Sequence, residues 1–372
     1  SAEAVDAILA PFAEDPLTGT DGTVAESPSP DATGNQNSAA PTTGDAAPEQ
    51  PEALPYDGPN VIAIMNETFS DLSEYPGLEG TNAAPTFFHE VADDSLAAGD
   101  VYVSAMGGGT CNSEFEFLTG NSMAFLPSGS IPYQQYVLGP TASLASILKA
   151  EGYSTLAFHP GERASWQRDR AYPRLGFDSY KCGDDMDVPQ TFEHGYVSDQ
   201  SDFEQIIWEL EHKEEGKPLF LFNVTIQNHG SYTVEDYPAQ VRLTDAPGKY
   251  PMAEQYLTLA NETDRAFQQL IDYFSRQEEP TILLMFGDHQ PSVEQEFLDR
   301  AYGVRQEDMT MEQYMGRFRV PFVLWANYPV EWDGPEETSL NFLGQYLLRY
   351  AGIEGDPYGA FLWDLQKTLP AL

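Results

Sequence analysis

The sequence predicts an α/β fold in which a mainly parallel β-sheet is flanked by helices. Short apolar runs alternate along the chain with helical patterns, and this alternation is typical of parallel sheets. The runs that predict buried parallel strands are Val61–Met65, Val101–Ala105, Thr155–Phe158, Leu219–Ile226, Thr281–Phe286 and Pro321–Ala326. The helical patterns cover Leu144–Glu151, Asp202–Glu211, Met252–Gln277 and Leu340–Ala351. We also expect a smaller C-terminal α+β part beside the main sheet.

Two compositional regions divide the chain. Residues 1–58 are rich in Pro, Ala, Thr and Gly and contain eleven Asp or Glu but no Lys, Arg or His. Because such a segment buries too little apolar surface to offset its ordering entropy, we interpret it as an acidic linker or stalk. Residues 59–372 have the composition of a globular protein and predict one folded domain.

The charge of the chain excludes one class of function. The formal net charge is −41, and the first Lys or Arg in the chain is Lys149. Lys and Arg contacts to phosphates supply most nucleic-acid affinity, so the sequence argues against a nucleic-acid partner. No run approaches the ~18–20 apolar residues of a membrane span. Because the chain begins with Ser-Ala-Glu, we expect it to be a segment of a longer protein.

Polar groups follow five of the predicted strands at the point where each strand ends. In an open α/β sheet, ligands bind at the edge formed by the carboxyl ends of the strands. We therefore expect the five groups to form one site. They are Glu67, the run Gly107–Thr110, His159, the pair Asn228–His229 and the pair Asp288–His289.

Three of these residues are candidate metal ligands. Glu67, Asp288 and His289 offer two carboxylates and an imidazole, a set that suits Mn²⁺, Mg²⁺ or Zn²⁺. Gly287 permits the sharp turn that would direct the adjacent Asp288 and His289 to one ion. The alternative is that each acid caps a helix and that His289 packs under a loop.

Thr110 is the candidate nucleophile. It follows three glycines and precedes a segment from Asn112 that is typical of a helix start. Glycines permit close approach to a ligand, and a helix N-terminus stabilises negative charge. A metal-coordinated hydroxyl at this place could lose its proton and attack phosphorus. The alternative is that Thr110 or Asn112 only caps the helix.

Further candidate binding residues lie after the third predicted strand. The segment that follows His159 carries Trp166 and Arg168, whose ring and planar guanidinium suit a phosphorylated substrate. The alternative is a surface helix with internal ion pairs. His229 is a candidate for proton transfer or for binding a phosphate oxygen.

The two cysteines are Cys111 and Cys182. Either they form a disulfide, which would tether the loop before Cys111, or they are buried thiols; we favour the disulfide. Cys111 is a poor candidate for a nucleophile or a formylglycine precursor, because the maturation pattern Cys-x-Pro-x-Arg is absent.

Together these motifs resemble the lipoteichoic acid synthase family, a branch of the alkaline phosphatase/sulfatase superfamily. The resemblance covers about residues 60–369 and preserves the order and approximate spacing of the family's motifs. The matching segments are Asn66-Glu67-Thr68-Phe69, Gly109-Thr110-x-x-x-Glu114-Phe115, Phe158-His159, Trp166-x-Arg168-Asp169, Asn228-His229 and Gly287-Asp288-His289. The fold implied for residues 59–372 is therefore a sulfatase-like catalytic domain.

The resemblance also implies roles for individual residues. In the family a metal, usually manganese, is held at positions that match Glu67, Thr110, Asp288 and His289. Thr110 matches the nucleophile that forms a covalent glycerophospho-threonine. The positions that match those lining the phosphoglycerol pocket are His159, Trp166, Arg168 and His229.

The implied reaction moves glycerol phosphate from phosphatidylglycerol to a growing glycerol phosphate polymer and releases diacylglycerol. Family members carry membrane-spanning helices upstream of this domain, so we expect the chain to act on the extracytoplasmic face of a Gram-positive type cell membrane. The acceptor stays open between polymer, glycolipid primer and water. The alternatives are a phosphodiesterase or sulfatase-type hydrolase, and a non-catalytic polymer-binding domain.

Overall fold

The computed structural model describes residues 58–78, 81–330 and 337–371. The predicted linker therefore lies outside the described residues, apart from its last residue. Among the residues that are described, no helix combines the length and the apolar character needed to cross a membrane.

Helices and strands alternate through most of the described chain. Their order is β1 (Asn60–Asn66), α1 (Thr86–Asp93), β2 (Ala97–Tyr102), α2 (Thr110–Thr119), α3 (Pro132–Gln135), α4 (Leu144–Ala150), β3 (Ser154–His159), α5 (Arg168–Arg174), β4 (Ser179–Cys182), β5 (Phe192–Glu193), β6 (Tyr196–Val197), α6 (Asp199–Glu211), β7 (Leu219–Val224), α7 (Pro251–Phe274), β8 (Thr281–Gly287), α8 (Gln295–Tyr302), α9 (Met311–Gly316), β9 (Arg319–Ala326), β10 (Glu337–Ser339), α10 (Leu340–Tyr350) and α11 (Pro357–Gln366).

An eight-stranded mixed sheet organises the fold, with the strand order β10-β2-β9-β8-β1-β7-β3-β4. Strand β1 runs parallel to its neighbours β7 and β8, and β3 runs parallel to β7 and β4. Strand β9 is antiparallel to both β8 and β2. Because β9 is antiparallel to both of its neighbours, β2 runs in the same direction as β8 and β1. The carboxyl ends of β1, β2, β3, β7 and β8 therefore lie at one edge of the sheet.

Apolar residues cover both faces of the sheet. In β7, Leu219 and Leu221 face a cluster that includes Phe267 of α7, where the helical spacing of apolar residues predicts a buried face. The alternate residue Phe222 faces the other side and stacks on Phe117 of α2, with ring centroids 5.7 Å apart. Burial on both faces explains why these strands read as continuous apolar runs.

The predicted α/β fold is confirmed, with two corrections to its strands. The strand predicted at Val101–Ala105 is displaced, and β2 instead spans Ala97–Tyr102. Most residues of β2 are half-buried, so the strand is not a continuous apolar run and the sequence pattern does not reveal it. The prediction that Pro321–Ala326 is a parallel strand is wrong in direction. An interior strand is buried whichever way it runs, so composition does not report its direction.

The C-terminal part adds one strand and two helices to this sheet. Strand β10 pairs in parallel with β2 at the edge of the main sheet. Helices α10 and α11 follow, and the apolar residues of α10 are buried. This part is the smaller α+β segment expected from the sequence.

Candidate active site

Four of the predicted residues form one buried cluster at the carboxyl edge of the sheet. Glu67 follows β1, Thr110 begins α2, and Asp288 and His289 follow β8. The hydroxyl of Thr110 lies 3.2 Å from Oε2 of Glu67. Nε2 of His289 lies 3.6 Å from Oε1 of Glu67 and 3.3 Å from Oδ2 of Asp288. The predicted convergence of distant segments is therefore present in the structure.

The cluster fits a divalent cation. One ligand atom from each of Glu67, Asp288 and His289 lies within 4.8 Å of the others. Oδ2 of Asp288 and Nε2 of His289 are buried and make no hydrogen bond to any of the residues that the structure describes. Buried acceptors without partners are costly, and a cation would satisfy both. Carboxylate oxygens, a hydroxyl and an imidazole are a donor set that Mn²⁺, Mg²⁺ and Zn²⁺ accept.

Electrostatics at the cluster also favour a positive ion. Burial raises the pKa of Asp288 to about 7, and the charge of Glu67 adds to the effect, although His289 opposes it. Burial alone would lower the pKa of His289, but the charges of Asp288 and Glu67 raise it. Both shifts favour the protonated forms of Asp288 and His289, because negative charge is concentrated in a buried position. A bound cation would take the place of those protons.

Backbone contacts hold the ligands in position. The amide of Thr68 donates to Oδ1 of Asp288 at 2.7 Å, which leaves Oδ2 directed at the cluster. Ser113 of α2 donates to the Asp288 carbonyl at 2.7 Å and so ties α2 to the segment that follows β8. A Cβ on Gly287 would lie 2.0 Å from the carbonyl oxygen of Phe69. Glycine is therefore needed here for close approach of two chain segments.

The loop before Thr110 presents its hydroxyl to the cluster. Gly107, Gly108 and Gly109 all have positive φ, at 64°, 137° and 94°. This left-handed path is open to glycine and strained for other residues. Gly109 occupies the N-cap position of α2 and offers no side-chain cap, so the alternative in which Thr110 only caps the helix is wrong. The Thr110 hydroxyl donates to Glu67 instead.

Arg168 is fully buried and is held by Glu114 of α2. Its Nε and Nη2 donate to Oε1 of Glu114 at 2.9 and 2.6 Å. The other carboxylate oxygen of Glu114 accepts from the hydroxyls of Tyr133 and Tyr172 at 3.1 and 2.6 Å. The predicted substrate role of Arg168 stays a prediction. Trp166, half-buried in the preceding turn, has a positive φ of 56°.

His159 is a neutral, oriented imidazole. Its Nδ1 donates to the carbonyl of Val224 at 2.8 Å, which leaves the lone pair on Nε2. Burial lowers the pKa of His159 well below its usual range, and the charge of Arg168 acts in the same direction. A Cβ on Gly161 would lie 2.4 Å from Nε2, so glycine is required beside it.

His229 is exposed and follows β7 on the same sheet edge. Its Nδ1 lies 2.8 Å from the carbonyl of Gly230 and 3.2 Å from the hydroxyl of Tyr196. A tautomer with its proton on Nδ1 satisfies both contacts, because both oxygens accept. Both contacts engage Nδ1, which leaves Nε2 to exchange a proton with a substrate.

The predicted disulfide is absent from the structure. Cys111 and Cys182 are both free and buried. The thiol of Cys111 contacts its neighbour Asn112 at 3.5 Å, and burial raises its pKa to about 12. The thiol of Cys182 accepts a backbone hydrogen bond at the start of the next short helical turn. Each thiol has a local partner, and Cys111 is unsuited to nucleophilic attack.

The sequence did not reveal a buried polar network behind the cluster. Asp199, at the start of α6, accepts from Asn66 at 3.0 Å and from Thr263 of α7 at 2.6 Å. Asn228 donates to both Asn66 and Thr263, at 3.2 and 3.0 Å. These bonds fix the ends of β1 and β7 relative to each other. The sequence signal that could have indicated this network is the asparagine directly before each candidate residue, Asn66 before Glu67 and Asn228 before His229.

The fold is an α/β domain with a candidate metal site at the carboxyl edge of its sheet, the edge where such domains bind ligands. The sulfatase family model matches residues 59–353, and the chain belongs to this family.

Two curated relatives are similar to the chain over most of its length. A putative cyclic beta-1,2-glucan modification protein of Rhizobium meliloti is 34% identical over 318 residues, which cover 82% of this chain and 47% of that protein. Lipoteichoic acid synthase 2 of Bacillus subtilis is 22% identical over 275 residues, which cover 73% of this chain and 41% of that protein. The chain therefore spans less than half the length of these two relatives.

A solved structure of similar fold is the Streptococcus pyogenes phosphoglycerol transferase GacH in complex with sn-glycerol-1-phosphate. The TM-score is 0.68 at 18% sequence identity, and the match covers 84% of this chain and 79% of that chain. This likeness confirms the sulfatase-like, alkaline-phosphatase-like fold.

Proposed function

We propose that the domain is a metal-dependent phosphoglycerol transferase of the lipoteichoic acid synthase type, with Thr110 as its nucleophile. The observation that carries the proposal is the placement of the Thr110 hydroxyl 3.2 Å from Glu67, in the cluster that Asp288 and His289 complete. Manganese held by these four residues would lower the pKa of the hydroxyl and neutralise charge on the phosphate. The donor is phosphatidylglycerol at the extracytoplasmic face of a membrane.

The reaction is a double displacement. The Oγ1 of Thr110 bonds to phosphorus as its proton passes to Glu67, to which it donates in the structure. The bond from phosphorus to the diacylglycerol oxygen breaks as that oxygen takes a proton from Nε2 of His229. An acceptor hydroxyl then bonds to phosphorus and returns a proton to His229, and the bond to Thr110 breaks as the threonine oxygen recovers its proton from Glu67. His159, Trp166 and Arg168 line the phosphoglycerol pocket in this proposal.

The acceptor is a polyglycerolphosphate chain or a glycan. The relatives include a lipoteichoic acid synthase and a putative cyclic beta-1,2-glucan modification protein, and both kinds of acceptor carry free hydroxyl groups. A hydrolase is the second candidate, because water can replace the acceptor at the same covalent intermediate.

Incubation with Mn²⁺ and a labelled phosphatidylglycerol analogue tests the proposal. A transferase releases diacylglycerol and, when an acceptor is present, attaches glycerol phosphate to it. Free glycerol phosphate as the sole product in the presence of acceptor would establish the hydrolase. If the protein binds metal but releases no diacylglycerol, the result would contradict the transferase and favour a non-catalytic polymer-binding domain.

A further inference from the structure

The hairpin formed by β5 and β6 lies apart from the main sheet and presents two different faces. Phe192 pairs with Val197, and Glu193 pairs with Tyr196. Residues directly opposite each other in an antiparallel pair share a face. Glu193 and Tyr196 therefore share one face, and Phe192, which is 59% exposed, lies on the other.

Tyr196 connects this hairpin to the proposed proton-transfer residue. Its ring centroid lies 5.3 Å from that of His229, and its hydroxyl lies 3.2 Å from Nδ1. The face that carries Glu193 and Tyr196 is thus adjacent to the group that exchanges a proton with the acceptor.

A polar cavity of about 100 Å³ adjoins the hairpin on the Glu193 side. The hydrogen-bonding side chains that line it are Glu193 of the hairpin, Gln200 of α6, Gln227 after β7, and Glu262 and Arg265 of α7. Arg265 is paired with Glu262 at 2.8 Å, so its charge is already balanced. The lining suits a ligand rich in hydroxyls and lacks the free positive charge that a phosphate polymer would need.

The surrounding charge also favours a neutral ligand. Residues 184–236, which include β5, β6 and His229, contain thirteen Asp or Glu and two Lys or Arg. This region repels a polyanion. Tyrosine rings and carboxylates are groups that bind the apolar faces and the hydroxyls of sugars.

We propose that the Glu193–Tyr196 face of the hairpin, with the adjoining cavity that Glu193 lines, is an acceptor subsite for a neutral glycan. This inference rests on the proposed function, since it names the acceptor of that reaction. Glu193 accepts hydrogen bonds from sugar hydroxyls, and Tyr196 packs on the sugar ring beside His229. The hydroxyl bound nearest His229 attacks the phosphorus on Thr110, gives its proton to Nε2, and displaces the threonine oxygen.

Calorimetric titration of the complete chain with a neutral glucan oligosaccharide, without lipid donor, tests the subsite. We expect saturable binding, weakened about ten-fold in Glu193→Ala and in Tyr196→Ala, because each loses a direct contact. Phe192→Ala is the matched control on the opposite face and is expected to bind within about two-fold of the parent. Thermal unfolding of each variant verifies that the fold is retained.

Two results would overturn the subsite: no saturable glucan binding by the parent chain, or unchanged binding by a folded Glu193→Ala/Tyr196→Ala double variant. Equal or tighter binding of a glycerol phosphate oligomer would overturn the choice of a neutral ligand. A parallel assay of diacylglycerol release separates the two proposals. Release without glucan binding refutes the subsite alone, and glucan binding without release refutes the transferase alone.

Discussion

The hydroxyl of Thr110 lies 3.2 Å from Oε2 of Glu67, across 43 residues of sequence. The end of β1 supplies the carboxylate, and three glycines of positive φ deliver the hydroxyl at the first residue of α2. Asp288 and His289 complete the arrangement from the end of β8. The proposed chemistry depends on this meeting of three chain segments.

Removal of the Thr110 hydroxyl tests the nucleophile. We expect Thr110→Ala to abolish diacylglycerol release while the unfolding midpoint shifts little, because the hydroxyl serves chemistry and not the apolar core. Thr119→Ala, which removes a hydroxyl from the other end of α2, is the control and retains turnover. Substantial turnover in Thr110→Ala would remove this residue from the mechanism.

Removal of a metal ligand tests the cluster. We expect His289→Ala and Asp288→Ala each to bind Mn²⁺ at least about ten-fold more weakly than the parent, because each loses one of the buried donors. The exposed His212 provides the control variant His212→Ala, with parental metal content. Elemental analysis after dialysis gives the comparison. Parental occupancy in both ligand variants would contradict the assignment.

The buried pair of Arg168 and Glu114 makes a prediction about stability. Glu114→Gln leaves the Arg168 guanidinium, only 2% exposed, without a charged partner. We expect a loss of about 3–5 kcal/mol in the free energy of unfolding, measured by urea denaturation. Glu307→Gln breaks an exposed pair with Arg305 and is expected to cost less than about 1 kcal/mol. Equal losses in the two variants would show that Arg168 is satisfied without Glu114.

Glu116 of α2 makes a prediction about pH. Burial raises its pKa from 4.5 to about 7. Between these values the folded protein keeps a proton that the unfolded chain has released, so the free energy of unfolding falls as pH rises through this window. Glutamine does not titrate, so in Glu116→Gln the free energy of unfolding is expected to fall less steeply with pH in this window. Parallel pH dependence of stability in the parent and the variant would be the contrary result.

The sequence predicted the strands that position the candidate site, but it did not predict the side-chain contacts between them. Apolar runs that end in polar residues identified β1, β3, β7 and β8, because burial on both faces requires continuous apolar sequence. The half-buried β2 lacks that signal, and its position was displaced. No pattern in the sequence reports that Arg168 pairs with Glu114 or that β9 is antiparallel, since both depend on how distant segments meet. Two cysteines likewise predict a bridge only if the fold brings them together.

The most direct test is a crystal structure with Mn²⁺ and its anomalous scattering. We predict a single strong anomalous peak about 2–2.4 Å from an oxygen or nitrogen of each of Glu67, Thr110, Asp288 and His289. A peak bound elsewhere, or no peak at this cluster at saturating Mn²⁺, would contradict the claim that Thr110 is a metal-activated nucleophile.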